Sequence, residues 1–155
     1  MTPTATAPEL EELVCFDLYA ASRAVTAAYR PILGELGLTY PQYLLLVVLW
    51  ERDECSIKDL ATTLRLDHGT LTPLLRRMES ARLLVRARDD VDERSVRVRL
   101  AERGAALRPH LEDIQCRIGD ALGLTVDEIA ILSTLLRTMT AYLLDEATTD
   151  QVRTG

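Results

Sequence analysis

Apolar side chains recur along the first part of the chain at a helical spacing. They stand three and four residues apart from Leu10 to Ala28, which predicts one long helix over about residues 9–33. Pro31 and Gly34 weaken the helical pattern and mark its end. One face of this helix is apolar, so we expect it to pack against other elements.

A second helix follows at once. Thr39 and Gln42, three residues apart, have the spacing of a capping box. Residues 43–50 are apolar on every side of a helix, which predicts that this second helix is buried.

Two short helices joined by a tight turn are predicted next. Ser56 and Asp59 open a third helix, and Asp67 is the expected N-cap of a fourth. The fourth helix places its apolar residues on one face, and these are Leu71, Leu74, Leu75 and Met78. The pair has the pattern of a helix-turn-helix, although a plain helical hairpin is the alternative.

The hydrophobic period then changes from 3.6 to 2. Residues 84–88 and 95–100 alternate arginine with apolar residues around the loop 89–94, which predicts an antiparallel hairpin, or wing. The pattern returns to helical over 102–118 and 126–144, and Thr125 and Glu128 have the spacing of a capping box at the start of the second segment. The sequence therefore predicts a mainly α fold with a small β-hairpin wing.

Composition favours a single globular domain. The chain has 155 residues, of which 48% are hydrophobic, and a formal net charge of −6. Residues 56–103 depart from that average, since they carry 11 of the 18 basic residues and a net charge of +3. No apolar run is long enough to span a bilayer and no export signal is recognisable, so we expect a cytoplasmic protein that uses no membrane.

The cysteines and histidines do not have the spacing of a metal site. Cys15, Cys55 and Cys116 are odd in number and far apart, which suits neither a disulfide framework nor zinc. His68 and His110 lie near neither each other nor a cysteine in a ligand spacing. We therefore expect no metal and no cofactor.

The fourth helix carries the expected contacts to double-stranded DNA. A recognition helix points its N-terminal end toward base edges in the major groove. The candidates on its polar face are His68, Gly69, Thr70, Thr72, Arg76 and Arg77. The basic charge, the helix-turn-helix and the basic wing all favour a protein that binds DNA.

The wing supplies further candidates. Arg94 has the chemistry to enter a narrow minor groove, with Asp92 holding its guanidinium in place; the alternative is an ordinary exposed ion pair. We interpret Arg86 and Arg88, with Arg97 and Arg99, as contacts to the DNA backbone or as solvated strand faces.

The order of elements resembles the MarR family of winged-helix transcription regulators. The resemblance rests on LDHGTLTPLLRRMESARLLVRARDDVDERSVRVRLAERG, which includes the wing signature Asp92-Glu93-Arg94, and it covers essentially the whole chain. Two positions depart from the family pattern: His68 replaces a small residue, which affects base preference, and Ala101 replaces a capping threonine. The resemblance implies a dimer on a pseudopalindromic operator.

Within that family, the N-terminal half is similar to the organic hydroperoxide resistance regulators. The matching segments are LVCFDLYAASRAVTAAYRPILGELGLTYPQYLLLVVLWE and GTLTPLLRRME. This resemblance implies a repressor that leaves DNA when an organic hydroperoxide oxidises Cys15. It assigns Tyr29 and Tyr40 as hydrogen-bonding partners of the reactive sulfur, with Tyr19 nearby, and Cys116 as a resolving thiol in the other subunit.

The chemical surroundings of the cysteines allow other roles besides those that the resemblance implies. The carboxylates of Glu11 and Glu12 lie one turn before Cys15 and disfavour a thiolate, so the sensor needs donors from elsewhere in the fold. A lone cysteine on an apolar helical face is otherwise a small buried hydrophobe. Cys116 is either the resolving thiol or unreactive, in which case a small thiol caps Cys15. Cys55 has no matching role and is interpreted as structural.

Three divisions of the chain follow. We expect residues 9–34 and 102–145 to form the interface of a homodimer, because the last helix has more apolar surface than one small domain covers. Residues 39–100 are expected to form the winged helix-turn-helix lobe that binds DNA. The predicted protein is a redox-sensing repressor and not an enzyme. The alternatives are a repressor released by a small aromatic ligand, a thiol peroxidase, and a winged helix used only for protein contacts.

Overall fold

Helices dominate the computed structural model, which describes residues 9–88 and 96–153. The helices are α1 (Val14–Gly34), α2 (Tyr40–Arg52), α3 (Ile57–Leu64), α4 (His68–Ser80), α5 (Glu102–Ala106), α6 (Leu111–Leu122) and α7 (Val126–Arg153). The strands are β1 (Glu54–Ser56), β2 (Leu84–Arg88) and β3 (Val96–Leu100), and 3-10 turns occupy Leu10–Glu12 and Arg108–His110. The mainly helical winged-helix fold predicted from the sequence is confirmed.

Helix starts follow the local rules read from the sequence. A side chain satisfies an otherwise unpaired backbone N–H in each of four cases. The pairs are Thr39 N–H with Gln42 at 2.9 Å, Asp59 N–H with Ser56 at 3.0 Å, Thr70 N–H with Asp67 at 2.8 Å, and Thr125 N–H with Glu128 at 2.8 Å. The predicted caps are confirmed.

The three strands form an antiparallel sheet in the order β1-β3-β2. The predicted wing strands pair with Val85 opposite Arg99 and Arg86 opposite Val98. Strand β1 was not predicted; it adds Cys55 opposite Val98 on the other side of β3. The central strand of the wing is therefore held from both sides, and the predicted loop 89–94 lies outside the described residues.

Two predicted helix boundaries are wrong. Helix α1 begins at Val14 rather than at residue 9, because Leu13 has extended backbone angles (φ −94°, ψ 103°) that separate it from the preceding 3-10 turn. Residues 102–118 do not form one helix. They divide into α5, a 3-10 turn around Pro109 and α6, since proline lacks the N–H that a continuous helix requires there.

A single apolar core joins the lobe to the ends of α1 and α6. Its largest fully buried side chains are Tyr43, Leu33, Leu45, Leu46, Leu49, Leu60, Leu71, Leu75, Met78, Leu83, Leu84 and Ile114. Trp50 donates its indole N–H to the carbonyl oxygen of Gly104 at 3.0 Å. A Cβ at Gly104 would lie 2.0 Å from the carbonyl oxygen of Leu83. Only glycine at this position therefore allows α5 to lie so close to the backbone of Leu83.

The chain divides into two compact units between Ile118 and Gly119. The core described above belongs to the first unit, and α7 belongs to the second. Both units expose large apolar side chains, among them Leu10, Leu13, Val14, Phe16 and Tyr19 in the first and Val126, Ile131, Leu135, Tyr142, Leu143 and Leu144 in the second. No helix within residues 9–88 and 96–153 is long and apolar enough to cross a membrane.

Candidate DNA-binding surface and candidate redox site

Helix α4 presents the polar face that the sequence predicts. Its apolar residues Leu71, Leu74, Leu75 and Met78 are buried. The predicted contacts His68, Gly69, Thr70, Arg76 and Arg77 are exposed, and Thr72 is half-buried. The arrangement leaves two adjacent guanidinium groups and the helix N-terminus open to solvent, which is the chemistry that binds phosphate.

Asp67 fixes the N-terminal end of α4. Its carboxylate accepts the backbone N–H of Thr70 at 2.8 Å and the Thr70 hydroxyl at 3.0 Å. These hydrogen bonds from Thr70 lower the pKa of Asp67. The Thr70 hydroxyl therefore donates to the cap, which leaves only its oxygen lone pairs for a further hydrogen bond.

The other end of α4 is attached to the wing and to α5. Arg86 on β2 donates from Nε at 2.9 Å and from Nη2 at 2.5 Å to Glu79 in the last turn of α4. Arg103 on α5 donates to the carbonyl oxygen of Ala81 at 2.7 Å. The guanidinium of Arg86 is thus engaged inside the lobe, which favours a positioning role over the predicted DNA contact.

The remaining wing arginines differ in their surroundings. Arg88 is exposed at the outer end of β2. Arg97 lies 3.7 Å from a carboxylate oxygen of Glu54. The predicted contacts Asp92 and Arg94 lie outside the described residues, so their roles stay predictions.

Cys15 is exposed as the second residue of α1. Tyr19 follows one turn later with 57% of its surface exposed, and Arg23 donates to the Tyr19 hydroxyl at 2.8 Å. The Arg23 guanidinium also lies 5.5 Å from the centre of the Tyr19 ring. The sulfur is therefore located on an open helical surface rather than in the core of its own chain.

Tyr29, Tyr40 and Tyr43 form a tyrosine cluster at the other end of α1. The ring of Tyr29 lies 4.6 Å from that of Tyr40 and 5.6 Å from that of Tyr43. Burial raises the pKa of Tyr29 to about 12, so its hydroxyl is protonated at neutral pH and able to donate a hydrogen bond.

Cys15 and the tyrosine cluster are far apart within one chain. Tyr29 follows Cys15 by fourteen residues on the same helix, which at 1.5 Å per residue is about 21 Å along the axis. Tyr40 stacks on Tyr29 and lies at the same end of α1. A site that combines the sulfur with these hydroxyls therefore requires a second copy of the chain.

The other two cysteines occupy contrasting positions. Cys116 is exposed on α6. Its neighbour Arg117 forms a two-pronged ion pair with Glu35, at 3.0 and 2.8 Å, near the end of α1. Cys55 is buried in β1, and burial raises the pKa of its thiol, which agrees with the structural role predicted for it.

Three residues of the candidate sites were not singled out in the sequence. Gln115 donates to the Tyr43 hydroxyl at 2.5 Å, and Glu79 holds Arg86. Tyr43 was expected only as part of a buried helix. No local motif identifies these partners, because each pair joins elements that are distant in sequence. Among residues 9–88 and 96–153, no three His, Cys, Asp or Glu side chains group closely enough to hold a metal ion.

Comparisons with known proteins agree on one family of regulators. Residues 27–110 match the family described as transcriptional regulator SarA/Rot. The chain is 48% identical over 117 residues to the organic hydroperoxide resistance transcriptional regulator of Bacillus subtilis (strain 168), which covers 76% of this chain and 78% of that protein.

Solved structures show the same fold. Reduced AbfR bound to DNA has a TM-score of 0.71 and 30% identity, covering 87% of this chain and 94% of that one. AbfR, from Staphylococcus epidermidis, is also known in a disulfide-formed state, with a TM-score of 0.62. BpsR of Bordetella bronchiseptica, whose DNA binding is regulated by 6-hydroxynicotinic acid, has a TM-score of 0.79 and 26% identity, covering 87% of this chain and 98% of that one.

Proposed function

The chain belongs to the SarA/Rot and MarR type of winged-helix, DNA-binding transcription regulators, and we propose that it is a repressor that releases its operator when an organic hydroperoxide oxidises Cys15. The 48% identity to a regulator of organic hydroperoxide resistance supports this oxidant class. The observation that carries the proposal is the exposed Cys15 near one end of α1 and the stacked pair of Tyr29 and Tyr40 at the other.

The repressor acts as a homodimer in this proposal. The exposed apolar side chains of residues 10–19 and of α7 need a partner surface, and a second copy supplies one. An antiparallel approach of two α1 helices brings each Cys15 toward the partner subunit's Tyr29 and the partner subunit's Tyr40. Two reading heads then face a pseudopalindromic operator, with each α4 in a major groove.

The sensing step follows ordinary thiolate chemistry. The Cys15 thiolate attacks the terminal peroxide oxygen, the O–O bond breaks, and the sulfur loses two electrons as it becomes a sulfenic acid. The alkoxide that leaves takes a proton from a tyrosine hydroxyl or from water and departs as an alcohol. Tyr29 and Tyr40 stabilise the thiolate before the reaction because their hydroxyls donate to it.

Cys116 completes the switch by resolving the sulfenic acid. The Cys116 thiol attacks the oxidised sulfur of the partner subunit, a disulfide forms, and water leaves. Cys116 is exposed and therefore accessible to such a partner, and AbfR, a relative of similar fold, has a disulfide-formed state. The pull on α6 would turn one reading head against the other, so that both no longer fit the duplex together.

A repressor released by a small aromatic ligand is the second candidate. The likeness to BpsR, which responds to 6-hydroxynicotinic acid, favours it. The relatives are DNA-binding regulators, and none of these comparisons supports the thiol peroxidase or a wing used only for protein contacts.

Operator binding before and after cumene hydroperoxide treatment tests the proposal. An operator obtained by in vitro selection is titrated with wild-type, Cys15→Ser and Cys116→Ser proteins. We expect wild type to release DNA after oxidation and to rebind after a thiol reductant, and Cys15→Ser to stay bound. Release of Cys15→Ser by the hydroperoxide contradicts the proposal, and its release by hydroxynicotinate alone favours the second candidate.

The Cys116→Ser protein separates the two routes of resolution. If the disulfide is needed, this variant stays bound after oxidation. If a small thiol caps Cys15, the variant releases DNA only when that thiol is added. Mass spectrometry of the oxidised proteins identifies the bond that forms in each case.

A further inference from the structure

Gln115 connects α6 to the tyrosine cluster. Its side-chain amide donates to the Tyr43 hydroxyl at 2.5 Å, across 72 positions of sequence. Tyr43 is only 1% exposed, so its hydroxyl oxygen depends on a protein donor rather than on water. Gln115, which directly precedes Cys116 in the chain, supplies that donor.

The three tyrosines are neighbours, since the ring of Tyr29 lies 4.6 Å from that of Tyr40 and 5.6 Å from that of Tyr43. Burial raises the pKa of Tyr43, the Gln115 hydrogen bond lowers it, and the neighbouring Tyr40 raises it. Burial, Tyr43 and Tyr40 raise the pKa of Tyr29 in the same way, and a hydrogen bond from Gln115 lowers it. Tyr29 and Tyr43 are buried and Tyr40 is half-buried, so their hydroxyls compete mainly for protein hydrogen-bond partners, among them the amide of the exposed Gln115.

We propose that Gln115 is a positioning residue that occupies the Tyr43 oxygen, so that the hydroxyls of Tyr29 and Tyr40 remain available to the partner subunit's Cys15. Without the amide, the buried Tyr43 oxygen would be a hydrogen-bond acceptor with no donor. The nearest phenolic donors are those of Tyr29 and Tyr40, and either would turn inward to satisfy it. The Cys15 thiolate would then lose a hydrogen-bond donor, although none of the residues proposed to contact it has been substituted. This inference rests on the proposed redox function.

The rate of Cys15 oxidation measures the effect directly. The reaction is followed in a Cys116→Ser background with cumene hydroperoxide, and a sulfenic-acid trap is quantified by mass spectrometry. Gln115→Leu keeps the size of the side chain but removes the donor, and we expect it to slow oxidation by about fivefold, the effect of one hydrogen bond. Glu112→Leu, at an exposed position of the same helix, is the matched control and should react as the parent does.

A double-variant comparison separates positioning from a general effect on the fold. Tyr43→Phe removes the competing oxygen, so it should react at about the parent rate. Gln115→Leu should then slow oxidation much less when added to Tyr43→Phe than it does in the parent, since only its weaker interaction with Tyr29 is left to lose. Equal slowing in both backgrounds, or no slowing by Gln115→Leu alone, overturns the proposal.

The same measurements distinguish this inference from the function on which it rests. A parent protein whose Cys15 reacts no faster than free cysteine overturns both. A reactive parent with an unaffected Gln115→Leu variant overturns only the role of Gln115. Melting temperatures of all variants identify any loss of rate that comes from unfolding, which the Tyr43→Phe background would not reverse.

Discussion

Arg86 and Glu79 connect the wing to the recognition helix through a single carboxylate oxygen, which accepts from both Nε and Nη2 of the guanidinium. The backbone N–H of Arg86 lies 3.3 Å from the other oxygen. Glu79 is in the last turn of α4 and Arg86 in the middle of β2. The pair therefore fixes the angle between the two elements that we propose to enter DNA grooves.

Replacing Glu79 with Gln should weaken operator binding without removing a phosphate contact. We expect about a fivefold loss, because ion pairs that are partly exposed, as this one is, contribute up to about 1 kcal/mol. The slope of log affinity against log salt should stay unchanged, whereas Arg76→Gln should reduce that slope by about one. Fluorescence anisotropy at several salt concentrations measures both quantities. A steeper slope for Glu79→Gln would mean instead that the freed Arg86 binds a phosphate.

The cap at Asp67 should make stability depend on pH. Its pKa is lowered in the folded chain by the Thr70 hydrogen bonds, so its contribution is present above the usual carboxyl range, near pH 4, and is lost as pH falls through the lowered value. The difference in melting temperature between wild type and Asp67→Ala should therefore shrink in acid. Asp67→Asn, which still caps, is the control, and a difference that is constant with pH would contradict this assignment.

Gly104→Ala should destabilise the lobe. The added Cβ would meet the Leu83 carbonyl oxygen, and relieving that clash by moving α5 costs about 1–3 kcal/mol of unfolding free energy. Gly119→Ala is a suitable control because nothing lies within 4 Å of a Cβ there, and it should stabilise α6 by up to about 1 kcal/mol. Urea unfolding followed by circular dichroism gives both values. Equal effects of the two substitutions would contradict the close approach of α5.

Mixed dimers test whether the redox site is shared between chains. One chain carries Cys15→Ser and the other Tyr29→Phe, with different affinity tags. If Cys15 works with the partner subunit's Tyr29, the mixed dimer retains one complete site and one Cys15 that oxidises at the wild-type rate. A mixed dimer that reacts no faster than the Tyr29→Phe homodimer would place both parts of the site in one chain, against the separation of about 21 Å.

Sequence patterns that span only a few residues predicted the helix caps and the faces of the helices, because these features depend on neighbouring residues alone. The caps at Thr39, Ser56, Asp67 and Thr125 follow from side chains three residues from their partners, and the faces of α4 follow from the helical period. Pro109 carried a signal for the break after α5, but the apolar period around it masked that signal. These features need no knowledge of the rest of the fold.

The candidate sites depend on pairings that sequence spacing does not encode. β1 is only three residues long, and it exists because Cys55 pairs with Val98 across 43 positions. Gln115 reaches Tyr43, and Glu79 reaches Arg86, through tertiary packing. The separation of Cys15 from Tyr29 follows from their positions fourteen residues apart on α1, but only the tertiary packing of Tyr40 on Tyr29 places both hydroxyl groups of the proposed redox site at the far end of that helix.

Trp50 gives the protein a built-in optical reporter. It is the single tryptophan, its ring lies edge-on to Tyr43 at 6.4 Å, and its indole is bonded to Gly104. Its emission comes from one buried environment that touches both the tyrosine cluster and the start of α5. Fluorescence of the unmodified chain should therefore follow a rearrangement between these two regions in real time, with no dye attached.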